Sequence, residues 1–123
     1  MGTVVQLKNK INNSYSELKS SVEDKLILVE ERIKSKLSSK VELVDEMTSY
    51  HLRTGGKRLR ALLTLGSAKL CGYQKGSRDV NLAACVELIH AATLMHDDVI
   101  DNSDVRRGKK TLNKIWGNQS SIL

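Results

Sequence analysis

Residues 79–102 read DVNLAACVELIHAATLMHDDVIDN. Apolar residues recur on nearly every side, so the spacing predicts one long helix sitting among others. Ser77 or Asp79 is placed to cap its start. The polar chemistry gathers at the far end, where Asp97, Asp98, Asp101 and Asp104 fall within eight positions. Like charges this close destabilise a helix unless something neutralises them. With about 100° per residue, Asp97 lies about −20° and Asp101 about +20° from His90, so the three share one stripe. Asp98 points about 100° away from Asp97 and is a flank.

Two carboxylates one turn apart present hard oxygen donors, which suit Mg²⁺ with its retained waters and shared phosphate oxygens. The plain alternative is an acidic helix end in solvent. Two features weigh against it: the acids interrupt an apolar helix, and they oppose the macrodipole at its C-terminus. A bound divalent cation relieves both. For His90 the plain alternative is a hydrogen-bonded core imidazole.

Cations stand on both sides of this helix in the sequence. Arg106-Arg107-Gly108-Lys109-Lys110 follows the acids, with Gly108 marking a turn and the arginines suited to paired donation toward phosphate. Upstream lies Gly55-Gly56-Lys57-Arg58-Leu59-Arg60. The Walker spacing is missing, so a nucleotide loop is not expected. A glycine pair leading into a helix start that carries Lys57 and Arg60 reads instead as an anion site. One carboxylate–metal site and two cationic patches together fit a pair of diphosphates.

Working outward, Leu7, Ile11, Tyr15, Leu18, Val22, Leu26, Val29 and Ile33 recur at spacings of three and four, which predicts a single amphipathic helix. Ser39 to Glu42 reads as a capping box opening a second helix, with Leu43, Val44, Met47 and Tyr50 facing inward and Gly55-Gly56 ending it. A third helix starts just after the glycines and stops at Cys71-Gly72. A last helical run begins near Thr111 and continues to Leu123. No strand-like alternation is visible. The expected fold is all-α, a helical bundle in one partial domain over 1–123.

Composition fits that reading. The chain has 123 residues, no Pro, no Phe and 40% hydrophobic residues, so Leu, Ile and Val must do the packing. Cys71 and Cys85 are expected to be free, buried and reduced. No apolar run is long enough to cross a bilayer, and no apolar core of signal-peptide length stands at the N-terminus. Gln6 occupies the position where a myristoylation signal wants Ser or Thr. A cytoplasmic address is the expectation. The net charge of +6 raises the question of nucleic acid. Acids interrupt the basic stretches and no recognition-helix motif is visible, so nucleic acid is not the expected partner.

The combination of GGKRLR with ELIHAATLMHDDVIDNSDVRRG resembles the N-terminal part of the trans-isoprenyl diphosphate synthases, above all their long-chain, octaprenyl-type members. The resemblance runs from about Ser39 onward. It implies the isoprenoid synthase fold and the head-to-tail condensation of isopentenyl diphosphate with an allylic diphosphate. By the same resemblance, Asp97 and Asp101 would hold Mg²⁺ on the allylic diphosphate, with Asp98 supporting and Arg106 touching that diphosphate. Lys57, Arg60, His90 and Arg107 would bind isopentenyl diphosphate. Ala92 and Thr93, small residues just before the acids, resemble the long-chain members; close helix packing explains them equally well.

Two departures stand out. Ala61 replaces the proline that usually ends GGKRxRP, a mild change because Ala favours helix. The family's second aspartate-rich motif has no counterpart after Arg107. The chain is therefore expected to be an N-terminal fragment, from a truncated or split gene, inactive or nearly so by itself. The alternative is a non-catalytic helical subunit whose partner chain carries the second motif; a homodimer is the other association that the family implies. A terpene cyclase shares DDxxD, but GGKR and RRG argue for a second diphosphate.

Overall fold

The computed structural model describes residues 2–38, 42–53, 56–106 and 108–122. The helix expected over Leu7–Ile33 is two helices, α1 (Gly2–Ser21) and α2 (Glu23–Leu37). The break falls at Val22, whose φ of −128° and ψ of 14° leave the helical region. Locally, the Ser21 hydroxyl donates back to the Leu18 carbonyl at 2.7 Å, and Glu23 and Asp24 place acids at the positive end of α2. Periodicity could not reveal this break, because Val22 stays on the apolar stripe and is buried. The stripe itself divides. Val22, Val29 and Ile33 are buried and Tyr15, Leu18 and Leu26 pack against them, whereas Leu7 and Ile11, near the start of α1, are exposed.

Helix α3 (Glu42–Arg53) follows. The capping serine expected at Ser39 and the side chains of Leu43, Val44 and Met47 lie outside what the structure describes. Tyr50 does face inward: its ring meets Trp116 edge-on with centroids 5.4 Å apart, and its hydroxyl donates to the Lys110 carbonyl at 2.6 Å. Helix α4 (Leu59–Leu70) begins at Leu59 and not directly after the glycines, so Lys57 precedes it. It ends as expected at Gly72, whose φ of 82° allows two closing bonds: Gly72 N–H to Lys69 O at 3.0 Å and Tyr73 N–H to Ala68 O at 2.9 Å.

Helix α5 (Arg78–Ile100) is the central helix expected over 79–102. Ser77 stands at its cap position but makes no side-chain capping bond. The Tyr73 hydroxyl instead accepts the Arg78 N–H at 3.1 Å, and the Asp79 carboxylate accepts the Val80 N–H at 2.9 Å while pairing with Lys25. The chain then forms a two-residue antiparallel ladder, β1 (Val105–Arg106) with β2 (Lys109–Lys110), before α6 (Leu112–Trp116) and α7 (Asn118–Ile122). A ladder this short carries no alternation to read, which is why the sequence showed no strand. The terminal helical run is likewise divided, at Gly117 with φ 86°.

Helices α2, α4, α6 and α7 pack on α5. The core joins Val29 and Ile33 of α2, Ala61, Leu62 and Leu65 of α4, and Val80, Ala83 and Ala84 of α5. Gly66 lets α1 approach α4: a Cβ there would lie 2.7 Å from Leu18 Cδ1. The expectation that α5 is covered on all sides does not hold, since Leu82, Ile89 and Ile100 are exposed along one side. Cys85 shares that side, and Cys71 sits at the end of α4. Both are free as expected but exposed, not buried. No helix among the described residues is long and apolar enough to cross a membrane.

Leu62 and Leu65, each at most 1% exposed, fill the space between α4 and its neighbours. Leu65→Ala should lower unfolding free energy by about 2–5 kcal/mol. Urea denaturation followed by circular dichroism checks this: the midpoint falls and the slope is retained.

Candidate diphosphate and metal site

The glycine-rich cationic segment is held by three helices. Gly55 lies outside the described residues; Gly56, Lys57 and Arg58 lead into α4. Arg58 takes a left-handed backbone, φ 53° and ψ 37°, which L-residues adopt at a cost of about 1–2 kcal/mol. Its guanidinium is held in place by two carboxylates. Nε lies 2.6 Å from Glu30 Oε1 of α2, and Nη1 lies 3.8 Å from Glu87 Oε2 of α5. The other oxygen of Glu87 accepts the Ala61 N–H at 3.0 Å, so a buried acid from α5 caps the first turn of α4. The departure from proline at position 61 thus has a structural consequence, because a proline has no N–H to give.

Lys57 is steadied from α1. The Tyr15 hydroxyl donates to the Lys57 carbonyl at 3.3 Å, and the Lys57 ammonium stands 5.7 Å from the centre of the Tyr15 ring. A contact of this kind is worth about 0.5–1 kcal/mol at an exposed site. Lys57 and Arg60 are both solvent-exposed.

The acidic end of α5 has the geometry expected of one continuous helix. The Asp101 N–H donates to the Asp97 carbonyl at 2.8 Å, so the helical bond spans the motif and Asp101 serves as the C-cap. Asp97 and Asp101 are exposed, one turn apart. Asp98 is 4% exposed and turned into the packing, which suits a supporting position better than direct contact with solvent or ligand. His90 is half-buried, and its carbonyl accepts the Thr93 hydroxyl at 2.7 Å. Asn102, with φ 51°, closes the helix through its own N–H to Val99 O at 3.3 Å and the Ser103 N–H to Asp98 O at 2.9 Å.

That turn delivers the second cationic group. Val105 pairs with Lys110 and Arg106 with Lys109, around a reversal in which Gly108 has φ 74°. Thr111 anchors the ladder, donating its N–H to Asp104 O at 3.0 Å and its hydroxyl to Ser103 O at 2.7 Å. The backbone of Arg106 is thereby placed directly after the acidic turn; Arg107 lies outside the described residues.

The structure thus puts the sequence-chosen residues on two platforms joined through α5. Glu87, which docks the Lys57–Arg60 segment, is about 4.5 Å along the axis from His90 and about 15 Å from Asp97 at 1.5 Å per residue. His90 lies between cations and acids. Among the described residues no group of three or more His, Cys, Asp or Glu side chains converges on a metal position. The exposed pair Asp97 and Asp101 fits part of a Mg²⁺ ligand set and leaves the rest to water, phosphate and other residues.

Comparison with known proteins identifies the family and the fold. Residues 41–123 match the polyprenyl synthetase family model. The chain belongs to the polyprenyl synthetase family. It is similar to octaprenyl diphosphate synthase of Escherichia coli, 45% identical over 91 residues that cover 74% of this chain and 28% of that protein. Heptaprenyl diphosphate synthase component 2 of Geobacillus stearothermophilus is 38% identical over 103 residues, 84% of this chain and 32% of that one. The crystal structure of polyprenyl synthase from Caulobacter crescentus CB15, complexed with calcium and isoprenyl diphosphate, superposes with a TM-score of 0.83 at 38% identity, covering 88% of this chain and 33% of that one. The fold is the all-α fold of those synthases, and the chain spans about a third of the length of the relatives it matches.

Sequence reasoning missed Glu87, Arg58, Glu30 and Tyr15. One signal was available for Glu87, a lone acid inside an apolar run. The others depend on long-range contacts. The acidic turn also yields a test of its backbone. Asn102→Val should cost about 1–2 kcal/mol through left-handed strain, while Asn102→Gly should match or exceed the original stability. Thermal unfolding of the two variants checks the contrast.

Proposed function

We propose that this chain is a partial isoprenoid synthase domain carrying the first acidic motif and the cationic segment of a long-chain trans-polyprenyl diphosphate synthase. The reaction would condense isopentenyl diphosphate with an allylic diphosphate such as farnesyl diphosphate. One observation carries the reading: a single helix presents the Asp97–Asp101 pair at its end and docks the Lys57–Arg60 segment through Glu87, with His90 between. The family and the calcium and isoprenyl diphosphate named with the Caulobacter structure support it.

In this reading Asp97 and Asp101 hold Mg²⁺ against the allylic diphosphate, Asp98 supports them from the packed side, and Arg106 adds a cation. Bound Mg²⁺ would neutralise charge developing on the departing diphosphate. Lys57, Arg60, His90 and Arg107 grip isopentenyl diphosphate, so that its double bond lies in line with the allylic carbon as that diphosphate leaves. One carboxylate pair does not enclose a multi-metal site. The remaining two-thirds of the synthase length, in the same polypeptide or another, would supply the second acidic motif and the rest of the pocket. The likeness to a protein named as a synthase component favours, as a second reading, a subunit that works with a partner chain. We place the protein in the cytoplasm.

The test is reconstitution. With farnesyl diphosphate, labelled isopentenyl diphosphate and Mg²⁺, the 123-residue chain should give no elongation. Mixed with a polypeptide covering the remaining length of the octaprenyl relative, it should form long prenyl products. Asp97→Asn or Asp101→Asn should lower that activity by about 10²-fold or more. Robust elongation by the chain alone, or activity indifferent to both aspartates, overturns the proposal.

A further inference from the structure

We infer that Arg58 and Glu87 are positioning residues for the diphosphate-gripping cations, and that Tyr15 and Glu30, from helices outside the matched segment 41–123, complete the same device. This rests on the diphosphate reading above. Arg58 stands between two cations assigned to ligand, yet its guanidinium is only 15% exposed and is engaged by Glu30 and Glu87. It is therefore a strut and not a third phosphate contact. Its left-handed backbone is the one strained non-glycine residue in the cationic segment among the described residues, and strain of this kind persists only where surrounding contacts enforce it.

The geometry shows what the strain accomplishes. At Arg58 the chain turns from the approach carrying Lys57 into the first turn of α4 carrying Arg60, and the Arg58 carbonyl accepts the Leu62 N–H at 2.9 Å to start that helix. Glu87 fixes the far side of the turn through Ala61 N–H, while Tyr15 fixes the near side through the Lys57 carbonyl. The Tyr15 ring also holds the Lys57 ammonium by a contact weak enough for a diphosphate to displace. The backbone carrying Lys57 and Arg60 is thus set before ligand arrives, which lowers the entropy lost on binding.

Isothermal titration of isopentenyl diphosphate into the 123-residue chain tests this, with hydrogen exchange at the Ala61 amide as a second readout. Glu87→Ala and Arg58→Ala should each weaken binding about tenfold or more, as loss of an outer orienting partner does. Glu87→Gln, which keeps an acceptor for Ala61, should retain amide protection and recover part of the affinity. Tyr15→Phe and Tyr15→Leu act at a half-buried residue outside α4 and α5, so they keep the test open if the Glu87 variants fold poorly. Tyr15→Leu should weaken binding more than Tyr15→Phe. If the folded variants bind as tightly as the unaltered chain, the contacts serve stability only and the inference falls while the proposed function stands. If the unaltered chain binds no isopentenyl diphosphate, Lys57 and Arg60 are not preset for it and the inference falls, while the proposed function is decided by the reconstitution.

Discussion

The carboxylate of Glu87 joins the cationic segment to the helix that carries the acids. A helix start leaves four N–H groups without intrahelical partners, and a buried start must find acceptors elsewhere. Here the acceptor comes from the middle of another helix, because Glu87 reaches from α5 to Ala61 of α4 while its second oxygen faces Arg58. That contact lies in the first turn of α4, beside the place at which Lys57 and Arg60 emerge. Buried ion pairs are weak guarantees of stability, since desolvation offsets most of the attraction. Their effect here is geometric, confining the segment to one arrangement.

Close packing makes that reach feasible. Ala61, Ala83 and Ala84 are fully or nearly fully buried where α4 and α5 meet, so the two backbones can approach closely with no large side chain between. The chain has no Phe, and the larger buried side chains, Ile33, Leu62, Leu65 and Val29, fill the remaining space with α2. α1 joins through Gly66, above which Leu18 lies almost against the α4 backbone. α1 is thus seated near enough for Tyr15 to meet Lys57. Packing of residues with no chemical role therefore positions those for which a ligand role is proposed.

The long central helix and its terminal acids were readable because both follow from local period: DVNLAACVELIHAATLMHDD has a helical pattern, and Asp97 and Asp101 fall one turn apart on any straight helix. The ends of helices were read well where glycine marks them, as at Gly72. They were read poorly where other side chains intervene. Val22 breaks the first helix without leaving the apolar stripe, and Ser77 yields its capping role to Tyr73 and Asp79. The supports of the site were illegible for a different reason. Arg58 looks like one more cation in a basic run, and only contacts spanning 28 residues to Glu30 and, across α4, to Glu87 show it to be structural. Cys71 and Cys85 were misjudged because burial was inferred from residue type, while Cys85 lies on the uncovered side of α5 with Leu82 and Ile89.

Charge and dipole run against each other at both functional ends. α4 opens without an acid in its first turn and with Lys57, Arg58 and Arg60 around its positive end. α5 closes with no basic residue in its last turn and with acids at its negative end. The second arrangement raises the energy of the protein alone, whereas at α4 the Glu87 carboxylate on the Ala61 N–H offsets the first. By contrast, α2 has Glu23 and Asp24 first and Lys34 and Lys36 last, and α5 has Asp79 in its first turn. The two reversals coincide with the two places where ligand binding is proposed. Their signs suit the proposed ligands, anions at the start of α4 and cations at the end of α5. Glu87 and Glu30 neutralise Arg58 internally, so the positive field that reaches solvent is that of Lys57, Arg60 and the helix start. About 15 Å of α5 separates Glu87 from Asp97, so the two proposed ligands, one bearing magnesium and one bare, would not overlap.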